Sequence, residues 1–167
     1  MNPLRVGING FGRIGRAVFR IAHQRRAFSV VAINDINPDP ANLAYLLGFD
    51  STYGRFGEDV CVRDGHLEVA GNQVAVYRAS AIDEVPWEAQ EVDIVVDASG
   101  VQQNVLQAPG AIRGSVRKVV VTHSPAEVDT TIVLGVNEEE YDPARHHVIA
   151  ASSCDANALA PVAKVLD

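Results

Sequence analysis

Cysteine is scarce in this sequence: Cys61 and Cys154 are the only two among 167 residues. Two are too few for the disulfide framework of a small secreted domain, and a reducing cytoplasm is the simplest compartment. Long apolar runs are missing as well. No stretch approaches the ~20 consecutive apolar residues that cross a bilayer, so no membrane partner is expected. The N-terminus enters a β-rich run almost at once, without the basic and apolar regions of a signal peptide. Basic residues are in the minority, 14 Lys and Arg against 21 Asp and Glu, giving a formal net charge of −7. Broad phosphate-backbone binding needs clustered cations, so no nucleic-acid partner is expected. No internal repeat or low-complexity segment is apparent, and no metal site is expected.

What is present is an ordinary globular balance, 47% apolar and 21% charged, with length enough for one domain with a sizeable core. Its most informative stretch runs from Leu4 to Gly15. A β-rich run, Leu4 to Asn9, enters Gly10-x-Gly12-x-x-Gly15 and passes straight into a helical pattern. The first glycine permits a tight strand-to-helix turn. The second lets a pyrophosphate approach the backbone, and the third lets the helix pack closely on the strand. Free N–H groups at the helix start then face the phosphates with the helix dipole behind them. A second apolar run, Ser29 to Asn34, ends at Asp35, where a carboxylate can accept hydrogen bonds from an adenosine ribose. Glycines alone are weak evidence. Strand, turn, helix, second strand and acid in that order point to dinucleotide binding.

The remaining pattern places these pieces in a fold. Ile14, Ala17, Val18, Ile21 and Ala22 have helical spacing, ending near Arg25-Arg26. A second helix is expected over Pro40 to Phe49, capped by Asp39, with Leu43, Leu46 and Leu47 as its buried stripe. From Asp59 to Tyr77 short alternating runs are separated by Asp64-Gly65 and Ala70-Gly71-Asn72, which predicts an antiparallel meander. Parallel-strand character returns at Val92–Val96, Lys118–Val121, Thr131–Leu134 and Val148–Ala150, with a helix over Gln102 to Ile112 that contains Pro109-Gly110. The expected fold is α/β, a Rossmann-type, doubly wound and mostly parallel sheet with a small meander insertion. Ligands on such sheets sit beyond the strands' carboxyl ends, where Gly10, Asp35, Ser99 and Thr122 would converge. Gly135 to His147 reads as a polar loop.

Cys154 follows the last strand and opens a final helix, a position where the dipole favours a thiolate. A thiolate can attack an aldehyde to give a hemithioacetal, which loses hydride to a nicotinamide. Free cysteines are more often buried and inert, a description that suits Cys61 inside its strand pattern better than Cys154.

Asn9-Gly-Phe-Gly-Arg-Ile-Gly15, Ile33-Asn-Asp35, Asp50-Ser-Thr-Tyr-Gly-Arg-Phe56, Leu134-Gly-Val-Asn137, and Ser153-Cys154 followed by Asn157 and Leu159-Ala-Pro161 resemble the glyceraldehyde-3-phosphate dehydrogenase family. Its erythrose-4-phosphate branch matches equally well. The resemblance implies an NAD cofactor, with Gly10, Gly12, Arg13, Ile14 and Gly15 on the pyrophosphate and Asn34 and Asp35 at the adenosine ribose. Arg78 would stand beside the adenine. Ser99, Gly100 and Thr122 would line the nicotinamide side, Cys154 would be the nucleophile, and Ser153 and Asp155 would face substrate. It further implies a phosphorylated aldehyde as substrate and a homotetrameric parent protein. Residues 1–152 would form the NAD-binding domain and 153–167 the first helix of a catalytic domain that continues in the parent.

Three departures stand out. The family's second domain, with its histidine base, lies beyond Asp167. The family's threonine after the nucleophile is Asp155 here, an anion that cannot donate to phosphate. Thr122-His-Ser-Pro125 replaces a small-residue turn; a structural or solvent-facing role is the simpler reading of His123. These departures leave open a non-phosphorylating aldehyde dehydrogenase, or a non-catalytic NAD-binding module acting as sensor or scaffold.

Overall fold

A computed structural model describes residues 3–37 and 39–166. The domain limits expected at Met1 and Asp167 therefore lie outside the described residues. In chain order the elements are β1 (Arg5–Asn9), α1 (Arg13–Arg25), β2 (Ser29–Asn34), α2 (Pro40–Gly48), β3 (Phe49–Asp50), β4 (Gly54–Arg55), β5 (Val60–Arg63), β6 (His66–Val69) and β7 (Asn72–Tyr77). Then follow β8 (Ile94–Asp97), α3 (Gln102–Ala111), β9 (Lys118–Val121), β10 (Thr130–Thr131), β11 (Val148–Ala150) and α4 (Cys154–Leu166).

Nine strands form one sheet in the order β10-β11-β9-β8-β1-β2-β7-β6-β5. The seven from β10 to β7 are parallel to their neighbours, and β6 and β5 extend the sheet as the antiparallel meander. The chain moves outward from β1 through β2 to β7, then returns to pair β8 on the other flank of β1. The topology therefore switches between β1 and β8, the crevice where α/β sheets place ligands.

Alternating residues feed opposite faces. Ile8, Ile33 and Val74 join Phe11, Phe19, Leu43 and Leu47 in one core, whereas Ala32, Ala75 and Val95 join Trp87, Val105 and Ala108 in the other. Gly7 faces the second core, where a Cβ would sit 2.6 Å from the Trp87 ring. Asp39 caps α2, accepting from the Ala41 N–H at 2.9 Å.

Several expectations are corrected. In α1 the buried residues are Gly15, Phe19, Arg20 and Ala22, while Ile14 and Ile21 are 54% and 49% exposed. Gly15 sets the helix phase: a Cβ there would lie 2.1 Å from the Gly10 carbonyl oxygen, so this face must turn inward. The apolar stripe gives way by one residue, about 100° of rotation. Arg20 is buried because its guanidinium donates to the Leu47 and Gly54 carbonyls, at 2.6 and 3.0 Å, and lies over the Phe56 ring. In α2, Leu43 and Leu47 are buried with Ala44, and Leu46 is only half-buried.

The strand expected over Thr131–Leu134 shrinks to Thr130–Thr131 because the Asn137 side chain takes its backbone partners. Asn137 Oδ1 accepts from the Val133 N–H at 2.8 Å and its Nδ2 donates to the Thr131 carbonyl at 3.1 Å. Cys61 is exposed, not buried, because β5 is the edge strand of the sheet and its residues past Val60 stay open to solvent. Both thiols are open to solvent, so native protein is expected to take up two carbamidomethyl groups under iodoacetamide; a single label by mass spectrometry would show that one site is closed.

Candidate functional site at the carboxyl edge of the sheet

A staircase of backbone bonds aligns the loops that leave the sheet. The first N–H past each strand donates to the last residue of the next: Asp35 to Tyr77 (3.2 Å), Gly10 to Asn34 (2.7 Å), Ala98 to Asn9 (2.7 Å), Thr122 to Asp97 (3.0 Å) and Ala151 to Val121 (2.8 Å). Gly10, Asp35, Ser99 and Thr122 are thereby brought to one edge, as the pattern predicts. Arg78, exposed, follows β7 on the same edge.

The three glycines have three different environments. Gly10 adopts φ +87° and a Cβ there would meet Ser99 Cα at 2.5 Å, because the loop after β8 crosses it. Gly15 touches the Gly10 carbonyl. At Gly12 an added Cβ would meet nothing within 4 Å. Gly12 is also the N-cap of α1 and no side chain caps that helix. Arg13 and Ile14 form its exposed first turn, where N–H groups have no intrahelical partner. An anion fits that cradle.

Asp35 is half-buried beside the turn, with Oδ2 accepting from the Phe11 N–H at 2.6 Å and Oδ1 from Asn37 at 2.8 Å. Each carboxylate oxygen keeps a lone pair for a further donor. Asn34, expected to touch the cofactor, is only 4% exposed and bonds Asn9 and both backbone groups of Ala79. Its side chain is engaged in holding the loops. Ser99 Oγ accepts from Asn104 Nδ2 at 2.9 Å, and Gly100 takes φ +69° in the exposed turn that follows. His123 is half-buried, and its Nδ1 has no hydrogen-bond partner among the described residues.

Cys154 begins α4 on the same edge, after β11, which lies three strands from β1; that is roughly 14 Å at ~4.8 Å per strand. Ser152, with φ +65° and 5% exposure, makes the bend into the helix. Asn157 Nδ2 secures that bend by donating to the Ala151 and Ser153 carbonyls, both at 2.9 Å. Ser153 Oγ accepts from the Ala156 N–H at 3.3 Å and donates to the Asp155 carboxylate. That donation, with the N–H groups of Asp155 and Ala156, holds Asp155 below the usual carboxylate range. Sequence reasoning gave no individual role to Asn9, Asp97, Asn104 or Asn157, although Asn9 and Asn157 stand within the family motifs. The signal available for the first two was a polar residue closing an otherwise apolar strand.

Concavity is not what identifies this site. A cavity of about 720 Å³ is lined by Arg5, Phe19, His23, Ser29 and Val74 among others, and none of the glycine-turn residues borders it. The chemistry of the edge does mark it: an uncapped helix start over an open glycine, an acid closing the next strand, and a topological switch between them define a dinucleotide-binding α/β domain. Residues 4–105 match the family model described as glyceraldehyde 3-phosphate dehydrogenase, NAD binding domain. That is more than half of the chain, and the chain belongs to this family.

The chain is similar to glyceraldehyde-3-phosphate dehydrogenase 2 of Streptomyces avermitilis, 42% identical over 165 residues, 98% of this chain and 49% of the relative. The enzyme of Geobacillus stearothermophilus is 42% identical over 163 residues, covering 98% and 48%. The cytosolic enzyme of Chondrus crispus is 42% identical over 166 residues, covering 99% and 49%. The chain thus spans about half the length of the curated relatives it matches.

Proposed function

We propose that the carboxyl edge binds NAD, with the pyrophosphate over Gly12 and the α1 N-terminus, the adenosine at Asp35 and Arg78, and the nicotinamide toward Ser99, Gly100 and Thr122. The single observation that carries this reading is the open space at Gly12 in front of an uncapped helix start. NAD is expected to be preferred over NADP, because a 2′-phosphate would meet the Asp35 carboxylate and its neighbours Asn34 and Ile36 carry no compensating charge. Calorimetry with both cofactors tests it. Equal affinity, or tighter NADP binding, would remove Asp35 from this role.

NAD when bound supplies the hydride acceptor for an aldehyde oxidation. Cys154 supplies the nucleophile, holding the aldehyde carbon first as a hemithioacetal and, after oxidation, as a thioester. Asn157 and Ser152 fix the bend that presents the sulfur, and Asp155 places a negative charge beside it. The substrate is a short phosphorylated aldehyde of the glyceraldehyde 3-phosphate kind, after which the relatives are named.

In this reading residues 153–167 belong to a second domain. Among the described residues of α4 none is buried, and Leu159, Val162, Val165 and Leu166 are 54–85% exposed. A 13-residue helix is marginal alone and needs such a face covered. The complete protein would be a cytoplasmic homotetramer. No helix among the described residues is long and apolar enough to cross a membrane.

The 167-residue chain by itself is expected to show no steady-state turnover, even with cofactor bound. Hydride removal needs a general base and a substrate held in near-attack geometry, and no histidine here is assigned the base. Assays with glyceraldehyde 3-phosphate and erythrose 4-phosphate are the check; sustained NADH production by the pure chain would refute this division of roles.

A further inference from the structure

Asn9, Asn34 and Asp97 close β1, β2 and β8, and the parallel register sets Asn9 opposite both Asn34 and Asp97. Their side chains form a buried row, 2%, 4% and 0% exposed, across the carboxyl edge. The two bonds between side chains of the row run in the same direction. Asn34 Nδ2 donates to Asn9 Oδ1 at 2.8 Å, and Asn9 Nδ2 donates to Asp97 Oδ1 at 2.9 Å. The same Asp97 oxygen accepts from the Ser99 N–H at 3.2 Å. At the far end Asn34 Oδ1 accepts from the Ala79 N–H at 2.8 Å. One polar row therefore ties together the loops that begin at Gly10, Asp35, Arg78 and Ala98.

We infer that Asp97 is a positioning residue of this site: through Asn9 and the Ser99 N–H it sets the placement of the Ser99 loop against the glycine-rich turn. The inference rests on the reading that this edge holds NAD. The strand ladders stop at these residues, and past them the staircase supplies one backbone bond to each loop, the rest coming from side chains. The Gly10 and Ser99 loops touch, so a shift in one displaces the other. Asn9 uses its donor on Asp97 and its acceptor on Asn34. Asp97 is the terminal acceptor and the only side chain of the row that reaches the Ser99 backbone. Its Oδ2 is buried without a hydrogen-bond partner among the described residues.

Three variants of the full 167-residue chain separate positioning from stability. Asp97→Ala loses both acceptances, and its NAD affinity is expected to fall at least about tenfold in protein that circular dichroism shows to be folded. Asp97→Asn keeps an oxygen for Asn9 and Ser99 but sets an N–H where Oδ2 lacked a partner. Its melting temperature should fall while NAD affinity stays within about threefold of wild type. If Asp97→Ala does not fold, the exchange Asn9→Asp with Asp97→Asn decides. There the new amide donates to residue 9 and the row is rebuilt, but the Ser99 N–H loses its acceptor. The exchanged chain is expected to fold, to bind AMP as wild type does, and to bind NAD at least about fivefold more weakly. AMP reads the Asp35 and Arg78 end, which the exchange does not touch. A wild-type chain that binds no NAD overturns the cofactor reading and this inference together. A wild-type chain that binds NAD, beside an exchanged chain of undiminished NAD affinity, overturns the positioning role alone.

Discussion

Gly15→Ala is expected to cost the domain about 3 kcal/mol or more, the upper range for forced overpacking, whereas Gly12→Ala should leave the fold intact and disable cofactor binding. At Gly15 the new methyl would lie 2.1 Å from the Gly10 oxygen and 3.2 Å from both the Gly10 carbonyl carbon and Ile8 Cγ2. Gly10 has no room to retreat, since its own Cβ position is 2.5 Å from Ser99 Cα. For a domain of this size 1 kcal/mol moves the melting temperature by ~2–4 °C, so a fall of roughly 6–12 °C is expected.

Gly12 is the opposite case. Its φ of −68° suits any residue and the added methyl meets no atom. Restricting the unfolded chain should then stabilise by ~0.4–1 kcal/mol. The same methyl would fill the space through which a diphosphate approaches the backbone, and NAD affinity should drop at least about tenfold. Calorimetric melting and NAD titration of the two variants provide the check. Wild-type NAD affinity in Gly12→Ala would show that the turn is not the pyrophosphate site.

The second large effect is expected at Asp155. Its lowered pKa keeps the carboxylate anionic throughout the neutral range, one residue from the Cys154 thiol in the first turn of α4. Both residues are exposed, so the effect on an incoming anion is electrostatic and screened by salt. Iodoacetate and iodoacetamide alkylate the same sulfur and differ by one charge. Asp155→Thr should raise the iodoacetate-to-iodoacetamide rate ratio at Cys154 about two- to fivefold at low ionic strength, the range of exposed charge pairs. The gain should vanish near 1 M salt, where the Debye length is ~3 Å. Cys61, distant in sequence and on an edge strand, serves as the internal reference. In a catalytically complete protein carrying this segment, the same substitution should lower the apparent KM for inorganic phosphate. An unchanged ratio at low salt would show that Asp155 does not guard the thiol against anions, and the phosphate argument would fall with it.

Legibility followed the range of the interaction. The glycine turn, the Asp39 cap and the Asp64-Gly65 turn were readable because each depends on residues a few positions apart. The phase of α1 was not, since it is set by contact between Gly15 and a carbonyl belonging to the preceding turn, and this outweighs the stripe of Ile14 and Ile21. The strand at Thr131 was shortened by Asn137, whose side chain competes with the ladder for the same backbone groups. Cys61 lies in a strand pattern, yet that pattern says nothing about whether a further strand or helix covers it.

By itself the sequence determined the class of this protein: strand, Gly10-x-Gly12-x-x-Gly15, helix and Asp35 specify a dinucleotide turn through local backbone geometry. The family motifs spread from Asn9 to Pro161 determined its membership. Only the tertiary structure decided which polar residues border the open turn and which hold the loops. Asn34 and Asp35 are adjacent in the chain, but one bonds across the sheet to Asn9 while the other borders the open turn. Asn9 and Asp97 are 88 residues apart and meet because parallel pairing puts them in register. Such contacts depend on strand order, and the placement of β8 beside β1 is a property of the folded sheet that no short stretch of sequence contains.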